Sequence, residues 1–352
     1  MSENSDWIWV EKIFRYVPTP YPLASLAIGT IIYLIFKGFS EVVTVYFSWD
    51  LYHNIQSLSI SITIAFQLAA AQYLTITTKS LLINLNRLYA RVDDNSFYIS
   101  YRDRFAKSRL YYVVVALVVL PLMVVESIRI LEGDNLLFYK SDPTFWSLML
   151  DIYNHVVVYL SFVLLSIFIW IILNISWALN QIARDSYRNP SEISLITLED
   201  IELKGPIRET LSKIVSCYFI ALALEIISYI TPFSIISYET IFLISLLLIG
   251  MVFYYIGVVS VRKISFNKIK YELDINHSLY SQYMNKILSL RFVEPNNNDI
   301  YDVICSSVLL DDLRYKHIQI MHLDKKGYDL GTIAAFISTF ILPIITILQN
   351  FL

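Results

Sequence analysis

Charged residues are scarce in this chain. Aspartate, glutamate, lysine and arginine make up 16% of its 352 residues, against about a quarter in typical soluble domains. Glycine is also rare, and the two cysteines, Cys217 and Cys305, give neither a paired-cysteine metal motif nor a probable disulfide. Apolar side chains make up 56% of the residues. This balance excludes an ordinary soluble domain and predicts an all-α protein that crosses a cell membrane several times.

Enzyme motifs are missing as well. The chain has no glycine-rich phosphate loop, no Gly-x-Ser-x-Gly nucleophile elbow and no His-Glu-x-x-His zinc pattern. Of its five histidines, His317 and His322 are the nearest pair, and their spacing puts them off one helix face. We therefore expect no enzyme activity, no metal site, no cofactor and no nucleic-acid partner.

Seven apolar stretches are candidates for helices that cross the lipid bilayer. Their approximate bounds are residues 22–47, 57–76, 110–125, 156–175, 214–230, 241–261 and 330–348. The first 21 residues are short, amphipathic and rich in aromatics, and they end in Pro18 and Pro20, as expected of an interfacial helix. Acidic residues at the start and the lack of a cleavage site argue against a signal peptide.

The sixth stretch continues far beyond bilayer length. We predict one helix from Tyr238 to Arg291, about 80 Å long, of which about 50 Å projects into water. The projecting part has an apolar stripe that needs a partner. A charge at Ile275, on the stripe, should therefore do more damage than a charge at Asn276. The members of the stripe are Tyr271, Ile275, Leu279, Tyr283, Ile287 and Leu290.

The basic residues predict the orientation. Residues 79–109 contain seven lysines and arginines, residues 184–213 contain five, residues 262–326 contain ten and the N-terminal segment contains two. These are 24 of the 27 basic residues, and all lie on one side if the N-terminus is cytoplasmic. The positive-inside rule then gives seven spans, with the N-terminus inside and the C-terminus outside.

This topology divides the chain into four regions. The third region contains a predicted short helix, residues 299–321, after the break at Pro295. The regions are a cytoplasmic or interfacial segment (1–21), six transmembrane helices (22–261) with cytoplasmic connections at 77–109 and 184–213, a cytoplasmic helical segment (262–329) and a seventh transmembrane helix (330–352).

Three ionisable residues lie inside predicted spans. Glu225 is in the middle of the fifth, where an acid is costly and must face the bundle interior, a partner or water. It is either an ion or proton site, or a packing residue paired with a basic or hydroxyl group. Lys37 and Glu41 are four residues apart on one face of the first span. An internal pair, or snorkelling to the outer surface, is favoured for them over ion transport.

The last span mixes apolar and polar side chains. Its threonines recur every seven residues, which puts them on one stripe, and two phenylalanines lie close to the same face. Such a stripe can line a pore, with the phenylalanines as an apolar constriction, or it can hydrogen-bond to other helices. The pore-lining candidates are Thr332, Phe336, Thr339, Phe340, Thr346 and Gln349.

The C-terminal residues also carry a resemblance. Gly327-Tyr-Asp-Leu330 precedes the last span, Thr339-Phe340 lies within it, and Gln349 and Phe351 end it. With the seven-span topology, they resemble the insect gustatory and odorant receptors. The same tail looks like that of uncharacterised prokaryotic multi-pass membrane proteins. The receptor resemblance implies a chemoreceptor-like, tetrameric, ligand-gated cation channel whose last span lines the pore and which has a small-molecule ligand.

Three functions are compatible with these features. The first is a homo-oligomeric ion channel or receptor-channel, a tetramer by the resemblance, with cytoplasmic helices that hold the subunits together. The second is a membrane sensor or scaffold that binds a partner through those helices. The third is a secondary transporter that works within one chain, although inverted repeats and matching broken spans are not visible in the sequence.

Overall fold

The computed structural model describes residues 8–17, 19–44, 51–86, 96–107, 109–131, 145–188, 204–229, 238–290 and 297–325, together with residues 341 and 345. Every regular element in these residues is a helix, which agrees with the all-α prediction. Six of the helical segments are long and apolar enough to cross a membrane. The seventh predicted span lies almost entirely outside the described residues, so the count of seven and the orientation remain predictions.

The described part of the chain forms nine helices. The six membrane-length segments correspond to the first six predicted stretches, and the third of them begins within α4 and continues into α5. In chain order the helices are α1 (Trp9–Tyr16), α2 (Tyr21–Thr44), α3 (Leu51–Asn86), α4 (Ser96–Lys107), α5 (Leu110–Leu131), α6 (Phe145–Arg188), α7 (Lys204–Tyr229), α8 (Tyr238–Leu290) and α9 (Asn297–Lys325).

Helix α6 is the centre of the bundle. It packs against α2, α3, α5, α7 and α8. A helix that is apolar on all sides is expected to be enclosed by others, and 72% of the most apolar stretch of α6 is buried, against 19% of the stretch that includes α5. The buried residues in the middle of α6 include Leu164, Leu165, Ile167, Phe168, Trp170, Ile171 and Ile172.

Two glycines allow neighbouring helices to approach closely. A Cβ atom on Gly250 of α8 would lie 2.3 Å from the ring of Tyr218 in α7, and one on Gly29 of α2 would lie 2.8 Å from the Cβ of Ala65 in α3. The Tyr218 hydroxyl donates to the Leu246 carbonyl at 2.6 Å. Small residues are common at helix contacts in membranes, where close packing holds helices together. These contacts bring α7 onto α8 and α2 onto α3.

The amphipathic N-terminal helix α1 packs on α3. It buries Val10 and Phe14 on one face, and the buried Glu11 forms an ion pair with Lys79 of α3. The indole nitrogen of Trp9 donates to the Tyr111 hydroxyl of α5 at 3.1 Å. The predicted short helix is therefore present and is attached to the bundle by polar as well as apolar contacts.

Helix α8 is continuous over 53 residues, which confirms the prediction of one helix longer than a bilayer span. Helix α9 packs on it and is longer than the predicted 299–321. At this contact, the Asn276 side-chain amide donates to the Leu313 carbonyl at 2.9 Å. Asn276 is 4% exposed and Ile275 is 37% exposed. The expectation that Ile275 is the better buried of the two is therefore wrong within one chain, because α9 packs on the side of α8 that carries Asn276.

Candidate functional site

Polar side chains collect where α3, α6 and α7 meet inside the apolar bundle. Gln67 of α3 and Ser161 of α6 are fully buried, and Glu225 of α7 is 1% exposed. Buried polar groups are costly unless they are hydrogen-bonded, so their partners determine what this cluster can do. Many of the buried residues around these positions on the same three helices are apolar, among them Ile64, Leu68, Phe162, Leu222 and Ile226.

The Glu225 carboxyl group accepts a hydrogen bond from a neutral donor. The Gln67 side-chain nitrogen donates to Glu225 Oε1 at 2.7 Å. The Ser161 hydroxyl donates to the Val158 carbonyl of its own helix at 3.1 Å, and its oxygen lies near the carboxyl group. None of the ion pairs between described residues includes Glu225. The partner of Glu225 is thus a neutral amide, and in the described part of the chain no basic group pairs with it. Whether Glu225 is a packing residue or an ion site stays a prediction.

The oxygen atom of the Gln67 amide group, Oε1, lacks a hydrogen-bond donor among the described residues. Gln67 Oε1 is buried and accepts no hydrogen bond from any residue that the structure describes. A buried acceptor without a donor costs about 1–3 kcal/mol. Because the amide oxygen and nitrogen share one carbon atom, and the nitrogen is 2.7 Å from Glu225 Oε1, Gln67 Oε1 lies within about 5 Å of that carboxyl oxygen. The cluster thus holds two acceptor groups close together.

Hydroxyl groups extend the cluster along α3 and α7. The hydroxyl oxygens of Thr63 and Ser59 lie 3.0 Å and 2.9 Å from that of Ser228. Thr63 also reaches the Ser59 carbonyl at 2.9 Å, and Ser228 reaches the Leu224 carbonyl at 2.8 Å. Thr63 is one helical turn from Gln67, and Ser228 is about one turn from Glu225. Polar contacts therefore join α3 to α7 over about two turns of α3 and one turn of α7.

The other predicted site residues lie elsewhere. Lys37 and Glu41 are on α2, with 3.9 Å between Lys37 Nζ and Glu41 Oε1, and their side chains are 54% and 71% exposed. This exposed pair is separate from the buried cluster. Its two side chains contact each other, and the role of the pair stays a prediction. The six pore-lining candidates, all in the last span, lie outside the described residues, and their role remains a prediction. They are Thr332, Phe336, Thr339, Phe340, Thr346 and Gln349.

Sequence reasoning singled out Glu225 but not its partners. The signal for Gln67 is present in the sequence, because serines, threonines and this glutamine interrupt an otherwise apolar span. A polar side chain in a membrane helix should face the bundle interior and bond to another helix. That rule predicts an interior position for Gln67, but it cannot select α7 as the partner helix.

A metal centre built from several acidic, cysteine or histidine side chains is not found in the described part of the chain. Cys217 and Cys305 are free thiols. Compared with known protein families, with curated proteins and with solved structures, the chain matches none. Its function must therefore be inferred from the membrane-length helices, the polar cluster and the exposed surfaces.

Proposed function

We propose that this chain is one subunit of an oligomeric ion channel or receptor-channel in the cell membrane, cation-conducting, with its last span lining a shared pore. The six long apolar helices support the membrane part of this proposal. The resemblance to insect gustatory and odorant receptors supports the channel, the tetramer and a small-molecule ligand. One pore helix per chain requires several copies, and therefore a surface through which copies associate.

The outer face of α9 supplies the observation that carries the proposal. Its large apolar side chains follow a spacing of three and four residues, which is the spacing of a coiled-coil seam. One position of this series, between Val308 and Tyr315, is occupied by the acidic Asp311. The opposite face packs towards α8 and includes the buried Ser306 and the half-buried Leu310 and Leu313. The exposed fractions on the outer face are 70% for Tyr301, 55% for Ile304, 63% for Val308, 63% for Tyr315 and 48% for Ile318. We call these five residues the α9 seam.

A second copy of the chain suits the α9 seam. Copies in one membrane share one orientation, so their α9 helices run parallel and present the same residues at the same height. Parallel helices with this spacing associate as coiled coils of two to four strands, and exposed apolar surface of this kind marks interaction sites. Ile275, Leu279 and Met284 of α8 are each 37% exposed and add apolar surface to the same pair of helices.

The test compares two charges on adjacent residues. Val308 is 63% exposed, so Val308→Asp should leave the packing of the single chain intact and weaken association through the α9 seam. Ser307→Asp adds the same charge on the neighbouring residue, whose hydroxyl donates to the Ile304 carbonyl of its own helix. Native mass spectrometry in mild detergent should give an oligomer for the wild type and Ser307→Asp, and a smaller species for Val308→Asp.

Bilayer recordings on the same three proteins test conduction. We expect a cation current from the wild type and Ser307→Asp, and none from Val308→Asp. A Val308→Asp protein with the mass and current of the wild type would show that the α9 seam does not join subunits. An oligomer that stays silent with every ligand tried would favour the sensor or scaffold over the channel.

A secondary transporter is the second candidate, and the polar cluster favours it. Gln67, Ser161 and Glu225 come from three helices of the same chain, so an ion could be handled without a second copy. Flux measured in vesicles containing Val308→Asp separates the two functions. Flux that survives in the smaller species supports a transporter, whereas flux that is lost with the oligomer supports the shared pore.

A further inference from the structure

The cluster of Glu225, Gln67 and Ser161 has the composition of a cation site. We infer that these three residues bind one dehydrated monovalent cation of the size of Na⁺, between α3, α6 and α7 of a single chain. The inference goes beyond the proposed channel, because it concerns a site within one subunit and requires neither an oligomer nor a current.

The charge of Glu225 favours a bound cation. An ionised carboxylate inside a membrane protein needs a positive charge close by. On the two helices that supply the acid and the amide, the nearest described lysines are Lys213 and Lys79. Lys213 is twelve residues from Glu225 and Lys79 is twelve residues from Gln67, which is about 18 Å along each helix axis. Both are already paired, Lys213 with Glu209 and Lys79 with Glu11. A bound cation supplies the charge that these lysines cannot.

The oxygen atoms of the cluster also favour a bound cation. All three residues can offer oxygen to a cation: the Glu225 carboxylate, the Ser161 hydroxyl and Gln67 Oε1, which lacks a donor among the described residues. Hard cations prefer oxygen ligands, and those of this size bind oxygen at about 2.4 Å, so one ion can join oxygens up to about 5 Å apart. The distance from Gln67 Oε1 to Glu225 Oε1 falls below this limit when the amide nitrogen lies to one side of the line between the two oxygens, which leaves the other side for an ion.

The charge of the ligands selects a monovalent ion. Protein sites for Ca²⁺ use several carboxylates or carbonyls, and transition-metal sites add histidine or cysteine. Here one carboxylate is joined by neutral oxygens, and no group of three or more acidic, histidine or cysteine residues occurs in the described ranges. One negative charge balances one positive charge, so Na⁺, K⁺ or Li⁺ suits this set better than a divalent ion.

The hydroxyl groups of α3 and α7 indicate the direction from which a cation would reach the cluster. Ser59, Thr63 and Ser228 continue the polar contacts from Gln67 towards the Leu51 end of α3. From Ser59 to Gln67 is eight residues, or about 12 Å along the helix. Hydroxyl oxygens at this spacing can replace part of the hydration of an ion. The inferred route therefore runs along the α3–α7 contact.

The test is thermal unfolding of the full chain in detergent, in NaCl, KCl, LiCl or choline chloride at equal ionic strength. A ligand that binds the folded state raises its stability as its concentration rises. We expect a saturable rise in melting temperature of several degrees with at least one alkali cation relative to choline, and its loss in Glu225→Gln and Gln67→Leu. The matched control is Glu209→Gln, which removes the same charge from an exposed position of the same helix and should respond like the wild type.

Binding of radioactive sodium provides a second readout, with one ion per chain expected for the wild type and none for Glu225→Gln. A wild-type melting temperature that is the same in all four salts would overturn the inference. So would a melting temperature that depends on pH but not on the cation, as for a carboxyl that only holds a proton. The smaller species of Val308→Asp should still bind sodium, so failure of the channel proposal and failure of this site give different results.

Discussion

Replacing Gly250 with alanine is the most direct test of how the bundle packs. The new Cβ would lie 2.3 Å from Cε1 and 2.8 Å from Cδ1 of Tyr218, and 3.3 Å from a ring carbon of Phe219. Tyr218 is fully buried, and its hydroxyl is bonded to the Leu246 carbonyl one turn before Gly250 on the same helix. The added methyl group therefore forces one of two changes. Either the Tyr218 ring moves and loses this hydrogen bond, or α7 and α8 separate.

Three contributions set the size of the effect. Overpacking a well-packed contact costs about 1–3 kcal/mol. Loss of the Tyr218 hydrogen bond adds about 1 kcal/mol. The better helix propensity of alanine returns about 1 kcal/mol. We therefore expect Gly250→Ala to destabilise the protein by about 1–3 kcal/mol.

Two other glycines of the chain provide matched controls. A Cβ on Gly38 meets no atom within 4 Å, and one on Gly257 has its nearest contact at 3.4 Å, an ordinary van der Waals distance. Gly38→Ala should therefore stabilise α2 by up to about 1 kcal/mol, with Gly257→Ala between the two. Thermal unfolding can be followed with a thiol-reactive dye on the free Cys217 and Cys305. Equal shifts for Gly250→Ala and Gly38→Ala would refute the close contact between α7 and α8.

The remaining predictions concern the α8–α9 pair, the orientation and the pore. Asn276→Asp replaces a buried amide donor with an acceptor and should lower the melting temperature. Ile275→Asp should leave the melting temperature unchanged and reduce only the amount of oligomer. Equal melting temperatures for the two variants would contradict the α8–α9 contact. A cysteine at Asn297 should react only with membrane-permeant reagents and one at Ser237 with impermeant reagents added outside, and the reverse pattern would overturn the orientation. Thr339→Trp should abolish any current, and an unchanged current would exclude a pore along that face.

Helices that depend on long apolar runs could be predicted from the sequence. The described residues of the first six stretches all lie in helices, and α8 continues well past the length of a bilayer span, as its uninterrupted pattern indicated. The ends of the helices were predicted less accurately than their existence. The second span was predicted at 57–76, but α3 extends from Leu51 to Asn86. Its serines, threonines and Gln67 lower the mean hydropathy without ending the helix, because several of them bond to the backbone or to other helices.

The partners of a polar residue could not be predicted in the same way. Glu225 stands out because an acid is costly inside a membrane. Its bond to Gln67 joins positions 158 residues apart, and it depends on how α3 and α7 are rotated against each other. Similarly, the apolar stripe of α8 predicted a partner on the side of Ile275. The sequence contains no information on whether that partner is α9 of the same chain or another copy.

Helix α8 contacts the helices of both proposed sites. It packs against α6 and α7, which carry Ser161 and Glu225, and against α9, which carries the α9 seam. The two proposed sites should nevertheless be independent, since the proposed cation site lies within one chain and the proposed α9 seam joins two chains. A charge at Val308 and a neutral side chain at position 225 should therefore act independently on oligomer mass and on cation-dependent melting. If either variant changed both readouts, the site and the interface would be coupled through α8.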